Sequence, residues 1–294
     1  MSPLEKESGC DGSTSALLKG ENLIDRFLKV AEELVSRITS LSGVAGVVFL
    51  GGLARGFVDR FSDLDIGVFL RERDERLRRR IYGLRSEVES RYGIEVDLEV
   101  HFLEDFERRR WGEADRWLYS KAKIVFDPEG RVKKVLERKL NQPEEFWINR
   151  MATCAEYLKW YCCPSREDIG TIAETWVERG DLLAAHYCVN YAVDLLLTIL
   201  YTLNREFLPA PKWRIFYSHT LRLKPRDYRR LIEEAVKVGS LSRRELERRL
   251  EAVRRLWLWV VERIKEETGL TLEDLSKRYV ETVLRQPWIP RYHR

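Results

Sequence analysis

The sequence predicts an α+β (α/β) unit built on a small mixed sheet, followed by an all-α helical bundle. Two observations carry this. Up to about residue 126, short β-branched or alternating runs are interleaved with helical periodicities. Beyond about residue 141, strand signals vanish and long helical patterns take over. The expected organisation is a flexible tail at residues 1–20, an α/β domain at 21–140 and a helical domain at 141–294.

The elements follow in order. Residues 1–20 are rich in Ser, Gly and charge, as a mobile tail is. In residues 21–42, Ile24, Phe27, Leu28, Ala31, Leu34, Val35 and Ile38 fall at helical spacing with one buried stripe. Residues 44–50 are a β-branched strand, broken by Gly51-Gly52, after which residues 53–58 suit a short helix. A second strand at 64–70 is entered through Asp63 and Asp65, and 74–92 is a charged helix. Residues 94–102 alternate, with Val96, Leu98, Val100 and Phe102 on one face and Glu95, Asp97, Glu99 and His101 on the other. Residues 123–126 suit an edge strand before the turn Asp127-Pro128-Glu129-Gly130, and the join between domains is expected near 127–145. Helices are expected at about 144–163, 166–178, 182–205, 225–237, 243–267 and 272–285.

Composition narrows the function classes. Lys and Arg total 52 against 48 acids, a net charge of +4, so the surface is mixed in sign and charge alone does not point to nucleic acid. Arginine runs near 78–80, 108–110 and 243–255 are mixed with acids or helically spaced, as solvated faces are. Cys10, Cys154, Cys162, Cys163 and Cys188 are odd in number and contain no CxxC pair, which disfavours zinc and suits a reduced, cytoplasmic setting. No secretory core is seen near the N-terminus, and the best apolar stretch, 191–203, is too short to span a bilayer and contains Asp194. No membrane partner is expected.

The chemistry sits between residues 51 and 66. Asp63 and Asp65 are two apart on a strand, so both carboxylates leave the same face. Like charges so placed resist ionisation unless a cation neutralises them, and paired carboxylates suit Mg²⁺. Alone, an Asp-x-Asp is an ordinary solvated strand edge, and a Gly-Gly is an ordinary turn. Together they place a turn that lets backbone approach phosphate, with Arg55 within reach, beside a metal-binding pair. That is the apparatus of phosphoryl or nucleotidyl transfer.

The segment resembles the signature of the nucleotidyltransferase superfamily, with its DNA polymerase β-like fold: a hydrophobic residue and Gly-Gly or Gly-Ser, then Asp-h-Asp/Glu-h about a dozen residues on (h hydrophobic). Gly51 to Asp63 spans 12 positions, Leu64 and Ile66 fill the hydrophobic slots, and Ser62 before the first acid is also typical. In layout the chain is similar to kanamycin-nucleotidyltransferase-type enzymes, and it shares its Gly-Gly-x-x-Arg-Gly and Ser-Asp-x-Asp pattern with antitoxin-type (MNT-like) transferases. The resemblance implies two Mg²⁺ ions on Asp63, Asp65 and a third acid, with an NTP, ATP first among them, held by Gly51, Gly52, Arg55 and Ser62. Many members carry Ser where this chain has Gly52. Asp97, Glu99 and Glu95 all face the correct way for the third acid. Glu99 is favoured over Asp97 because Leu98-Glu99-Val100-His101-Phe102 resembles the kanamycin-type strand. By the same resemblance Glu156 is the candidate general base. Lys212 and Trp213, in the expected loop after a buried helix, are candidate substrate contacts.

The implied activity is transfer of a nucleoside monophosphate from an NTP to a hydroxyl acceptor with release of pyrophosphate. A small-molecule acceptor is favoured, with a protein or tRNA acceptor open and a homodimer the expected assembly. The rival from another class is a catalytically silent nucleotide-binding protein that regulates a partner.

Overall fold

A computed structural model of the chain describes residues 20–164 and 170–284. It divides into two units, Met1–Asn141 and Gln142–Arg294. The expected tail falls, apart from Gly20, outside the described residues, as do Cys10 and the start of the helix expected at 166–178.

The first unit runs α1 (Ile24–Thr39), β1 (Val44–Phe49), α2 (Gly51–Arg55), β2 (Leu64–Leu70), α3 (Glu75–Tyr92), β3 (Val96–Phe102), α4 (Leu103–Arg108), α5 (Glu113–Tyr119), β4 (Lys123–Phe126) and α6 (Arg131–Leu140). The strands form one mixed sheet in the order β3-β2-β1-β4. β1 is antiparallel to both β2 and β4, whereas β2 and β3 are parallel, their crossover made by α3. α3 begins where the Asp74 carboxylate accepts from the backbone N–H groups of Arg76 and Leu77, both at 2.9 Å. Val96, Leu98, Val100 and Phe102 join Leu64, Ile66, Val68 and Leu70 in a core with the stripe of α1 and with Ile81 and Val88 of α3. The opposite face is partly covered by Leu103, Phe106, Trp111, Tyr119, Val132 and Leu136 from the segment that follows β3.

That covering layer corrects the sequence expectation, which placed no helix between residues 103 and 122 and treated residues near 131–140 as a join. α4 and α5 are shorter than two turns, too short for an apolar period to register, and they are helical because Phe106 and Tyr119 pack on the sheet. α6 does carry a helical spacing in Val132, Val135 and Leu136.

The second unit is helical among its described residues: α7 (Glu144–Tyr161), α8 (Ile172–Glu178), α9 (Leu182–Leu203), α10 (Pro211–Ser218), α11 (Tyr228–Val236), α12 (Arg243–Thr268), α13 (Leu272–Tyr279) and a π-helical turn, Val280–Leu284. α9 is its axis, packed against α7, α8, α10, α11 and α12. The expectation that no stretch could span a bilayer is corrected here. α9 has 22 residues and a mean hydropathy of 1.5 over its most apolar window, which meets the length and composition for a span. Its apolar side chains are spent on the bundle instead: Val189, Ala192, Leu196, Ile199 and Leu200 are fully enclosed. Cys154, Cys162, Cys163 and Cys188 are buried free thiols, and burial pushes Cys154 and Cys163 up to about 12.

One cation is enclosed with them. Arg249 of α12 has no exposed surface and forms no ion pair among the described residues. Its Nε donates to the Ala235 carbonyl at 2.8 Å, one terminal nitrogen lies 2.9 Å from His186 Nδ1, and the other donates to the Asn190 side chain. The guanidinium thus ties α12 to α9 and α11. Removing it strands several buried polar groups at once, so Arg249→Ala should lower the unfolding free energy by roughly 3 kcal/mol or more. Urea denaturation monitored by far-ultraviolet circular dichroism measures this; a loss below about 1 kcal/mol would mean that the cluster is relaxed by water.

Candidate active site

The site is assembled by two strands whose alternation is fixed from behind. With Leu64 and Ile66 in the core, Asp63 and Asp65 leave the other face, and with Val96 and Leu98 in the core, so do Asp97 and Glu99. Register then decides which acids meet. β2 and β3 align Asp65 with Asp97 and Gly67 with Glu99. Carboxylate oxygens of Asp63, Asp65 and Asp97 all lie within 4.8 Å of one another. Partial burial, followed by the charges of Glu99 and Asp63, raises the Asp97 carboxyl above its ordinary range. Three acids so close favour a bound cation over their own simultaneous ionisation, so the donor set fits a divalent metal.

The resemblance favours Glu99 as third acid, but it is Asp97 that the fold gathers with Asp63 and Asp65. Alternation gives the face of a strand, not its register against a neighbour, and β3 sits two residues from the alignment that Glu99 would require. Glu99 is engaged elsewhere. Its Oε2 lies 2.9 Å from His101 Nε2 and accepts from the Tyr119 hydroxyl at 3.1 Å. The His101 hydrogen bond is the main reason that the Glu99 carboxyl is held below its ordinary range. Burial and the Glu99 charge together push the Tyr119 hydroxyl far up, so it stays a donor. Phe106 packs against the rings of both His101 (4.8 Å) and Tyr119 (5.1 Å), which holds the trio in place. Glu95 precedes β3 and is not among the clustered acids.

The glycine turn is joined directly to the acids. The Leu50 N–H donates to the Asp65 carbonyl at 2.9 Å, and Gly51 follows with φ of +45°. A Cβ at Gly51 would stand 1.8 Å from Asp65 Oδ2, so only glycine admits the carboxylate there. A Cβ at Gly52 would stand 2.7 Å from the Phe57 carbonyl oxygen. The close return of the chain at Phe57 thus accounts for glycine where many similar proteins have serine. The turn continues as α2, one short helix closed by Gly56.

Arg55, at the end of α2, is steered by a residue that the sequence did not single out. Its guanidinium lies 4.1 Å from the ring centroid of Trp117 on α5 and donates to the Trp117 carbonyl at 3.1 Å. It also reaches the Gly51 carbonyl at 3.5 Å. The two residues are 62 apart in sequence, with no local signal linking them. The Ser62 hydroxyl donates to Asp59 Oδ1 and accepts from the Asp59 N–H, both at 3.0 Å, and so shapes the loop into β2.

The remaining expected residues belong to the second unit. Lys212 and Trp213 do not lie in a loop. They occupy the first turn of α10, with Pro211 opening the helix as its preset φ favours. Trp213 packs against Phe216 and Tyr217, and Lys212 Nζ is 5.9 Å from the centre of its ring. The Glu156 carboxylate on α7 is tied to Lys159 at 2.6 Å and to the Ser276 hydroxyl at 3.0 Å, and only 14% of its side-chain surface is exposed. Those contacts make Glu156 a link between α7 and α13 and engage the carboxylate that the resemblance marks as general base.

Comparison with known proteins gives two overlapping family matches. Residues 28–124 match the family model of the nucleotidyltransferase domain. Residues 117–214 match a domain of unknown function, DUF4037. No curated protein matches the chain. Among solved structures, a nucleotidyltransferase-like protein from Exiguobacterium sibiricum is similar at 13% identity and a TM-score of 0.41, over 81% of this chain and 77% of its own.

Gly51→Ala tests whether the turn and the acids are one construction. The new methyl group must displace Asp65 or the turn, and its backbone angle is strained as well. The melting temperature should fall by several degrees, for a cost of about 1–2 kcal/mol. Stabilisation of the folded protein by added Mn²⁺ should be lost in the same variant, with both read by calorimetry.

Proposed function

We propose, from the match of residues 28–124 to the nucleotidyltransferase domain, that this chain transfers a nucleoside monophosphate from an NTP to an acceptor hydroxyl. The observation that carries the proposal is the closeness of Asp63, Asp65 and Asp97 beside the Gly51-Gly52 turn. In the reaction the acceptor oxygen attacks the α-phosphorus, the bond from that phosphorus to the bridging oxygen breaks, and pyrophosphate leaves. The acceptor proton passes to solvent or to a base.

Each residue has a part that follows from its place. Asp63, Asp65 and Asp97 hold divalent metal, two Mg²⁺ ions in the favoured reading. When bound, the metal offsets the charge of the phosphates and of the three acids and stabilises in-line displacement. The Gly51-Gly52 turn lets the nucleotide phosphates approach backbone N–H groups that no side chain shields. Arg55 adds positive charge on the same side and is oriented by Trp117. Ser62 fixes the loop that delivers Asp63. Glu99 sits one step further along β3, hydrogen-bonded by His101 and Tyr119, and it stabilises that wall of the site without binding metal. ATP is the favoured nucleotide, and the acceptor is a hydroxyl compound.

The roles separate by mutation. Asp63→Asn, Asp65→Asn and Asp97→Asn should each reduce pyrophosphate release from ATP by roughly 100-fold or more, since each removes a metal ligand. Without metal these variants should melt at or above the wild-type temperature, because each relieves repulsion within the cluster. Glu99→Gln should keep activity to within about 10-fold and keep the Mn²⁺-induced rise in melting temperature. Loss of that rise in Glu99→Gln with its retention in Asp97→Asn would reassign the third ligand to Glu99.

A further inference from the structure

A strongly basic segment lies at residues 211–230, where seven Lys and Arg stand against one acid, Asp227. The chain as a whole is nearly balanced, at 52 against 48. This segment comprises α10, the connection after it and the start of α11. Some of its cations are already used. Arg214 pairs with Asp194 at 3.2 Å, and Arg230 pairs with Asp227 at 2.5 Å and Glu234 at 2.9 Å. Asp227 is also shared with Arg255 at 3.2 Å. Lys212, Arg222, Arg226 and Arg229 are exposed and form no ion pair among the described residues, and Lys237, just past α11, is the same. Such a group of unneutralised cations repels itself and favours a polyanion.

The surface between these cations is shaped and apolar. A groove of about 360 Å³ runs between α10 and α11 over a floor of Ile215, Ile232 and Val236. Ile215 and Val236 are 38% and 41% exposed, so the floor is open to a ligand. Arg229, Lys237 and His219 edge the groove, with Glu233 the one acid on its wall. Lys212, Ile215 and His219 share one side of α10 by their spacing of three and four residues, so the free lysine belongs to this face. Burial, followed by the charges of Arg229 and Lys224, holds the His219 imidazole below its ordinary range. Trp213, Phe216 and Tyr217 form a half-buried ring cluster on the same helix.

We propose that the α10–α11 face of the helical unit binds single-stranded nucleic acid, with phosphates on Arg222, Arg226, Arg229 and Lys212 and a base against the apolar groove. Free cations around an apolar platform suit a strand that carries both a charged backbone and flat bases. An acidic peptide would meet the cations but leave the open apolar floor without a partner. The face goes beyond the catalytic proposal and needs neither metal nor NTP.

The test uses the full-length protein, without NTP or divalent metal, and fluorescently labelled oligo(U) and oligo(dT) about 12 nucleotides long, within the usual site size of such surfaces. Anisotropy should show binding that weakens steeply with salt. The triple variant Arg222→Gln/Arg226→Gln/Arg229→Gln should bind at least about 10-fold more weakly near 0.1 M salt, with a log–log salt slope shallower by about 2. A control with the same charge change on α3, Arg76→Gln/Arg79→Gln/Arg80→Gln, should bind like wild type, and both variants should melt normally because every altered residue is exposed. Tighter binding of oligo(U) would identify RNA as the strand preferred; equal binding would assign the face to either strand through backbone and base. Absence of wild-type binding, equal weakening in both triple variants, or competition by poly-glutamate as effective as by unlabelled oligonucleotide would overturn the proposal. Any of these failures leaves the transfer reaction, assayed separately by pyrophosphate release, untouched.

Discussion

The first unit depends on one contact, the packing of the Gly51 backbone against the Asp65 carboxylate. It exists because β1 and β2 are antiparallel neighbours, so the end of one meets the beginning of the other. The Leu50 N–H bound to the Asp65 carbonyl closes the ladder there. The chain must then leave β1 without a side chain, since the space is taken by Asp65 Oδ2. The glycine turn and the placement of Asp65 beside it are thus consequences of a single strand pairing. The parallel addition of β3 completes it, because register carries Asp97 alongside Asp65.

Charge is managed differently on the two halves of this face. Asp63, Asp65 and Asp97 are gathered within 4.8 Å of one another, and Asp97 is held above its ordinary range by burial and then by the charges of Glu99 and Asp63. Glu99, one step along the same strand, is hydrogen-bonded by His101 and Tyr119 and is held below its range. The difference separates a cluster whose donor set fits a cation from a carboxylate already engaged by its neighbours. The aromatic packing of Phe106 and Trp111 around Tyr119 serves this division, because it keeps the hydroxyl aimed at Glu99.

Much of this was legible in the sequence, and the limits are physical. The alternation in residues 94–102 gave the correct face for Asp97 and Glu99, because a core on one side enforces a period of two. It could not give the register, which arises from pairing between chain segments far apart in sequence, and so Glu99 was favoured where Asp97 stands. The Asp63/Asp65 pair and the Gly-Gly turn were legible because both are local. The Arg55–Trp117 stack was not, since it joins α2 to a helix too short to announce itself. Lys212 and Trp213 were expected in a loop because Pro209 and Pro211 look like breakers, yet Pro211 sits at the first helical position, where proline is well suited.

The helical unit shows why composition averages mislead. A net charge of +4 describes no region of this surface, because acids and bases are distributed unevenly along the chain. On α12, Arg243 pairs with Glu178, Arg248 with Glu245 and Arg254 with Glu174, so that arginine-rich helix is electrostatically quiet. Along residues 211–230 the bases outnumber their local acids, and several stay free. What matters to an approaching polyanion is the local excess within a screening length of about 10 Å, not the total. The arginine-rich segment from 243 to 255 therefore creates less field than the shorter count around α10 and α11, and Arg249, the one cation of α12 shown to be wholly enclosed, serves the core and contributes nothing to the outside.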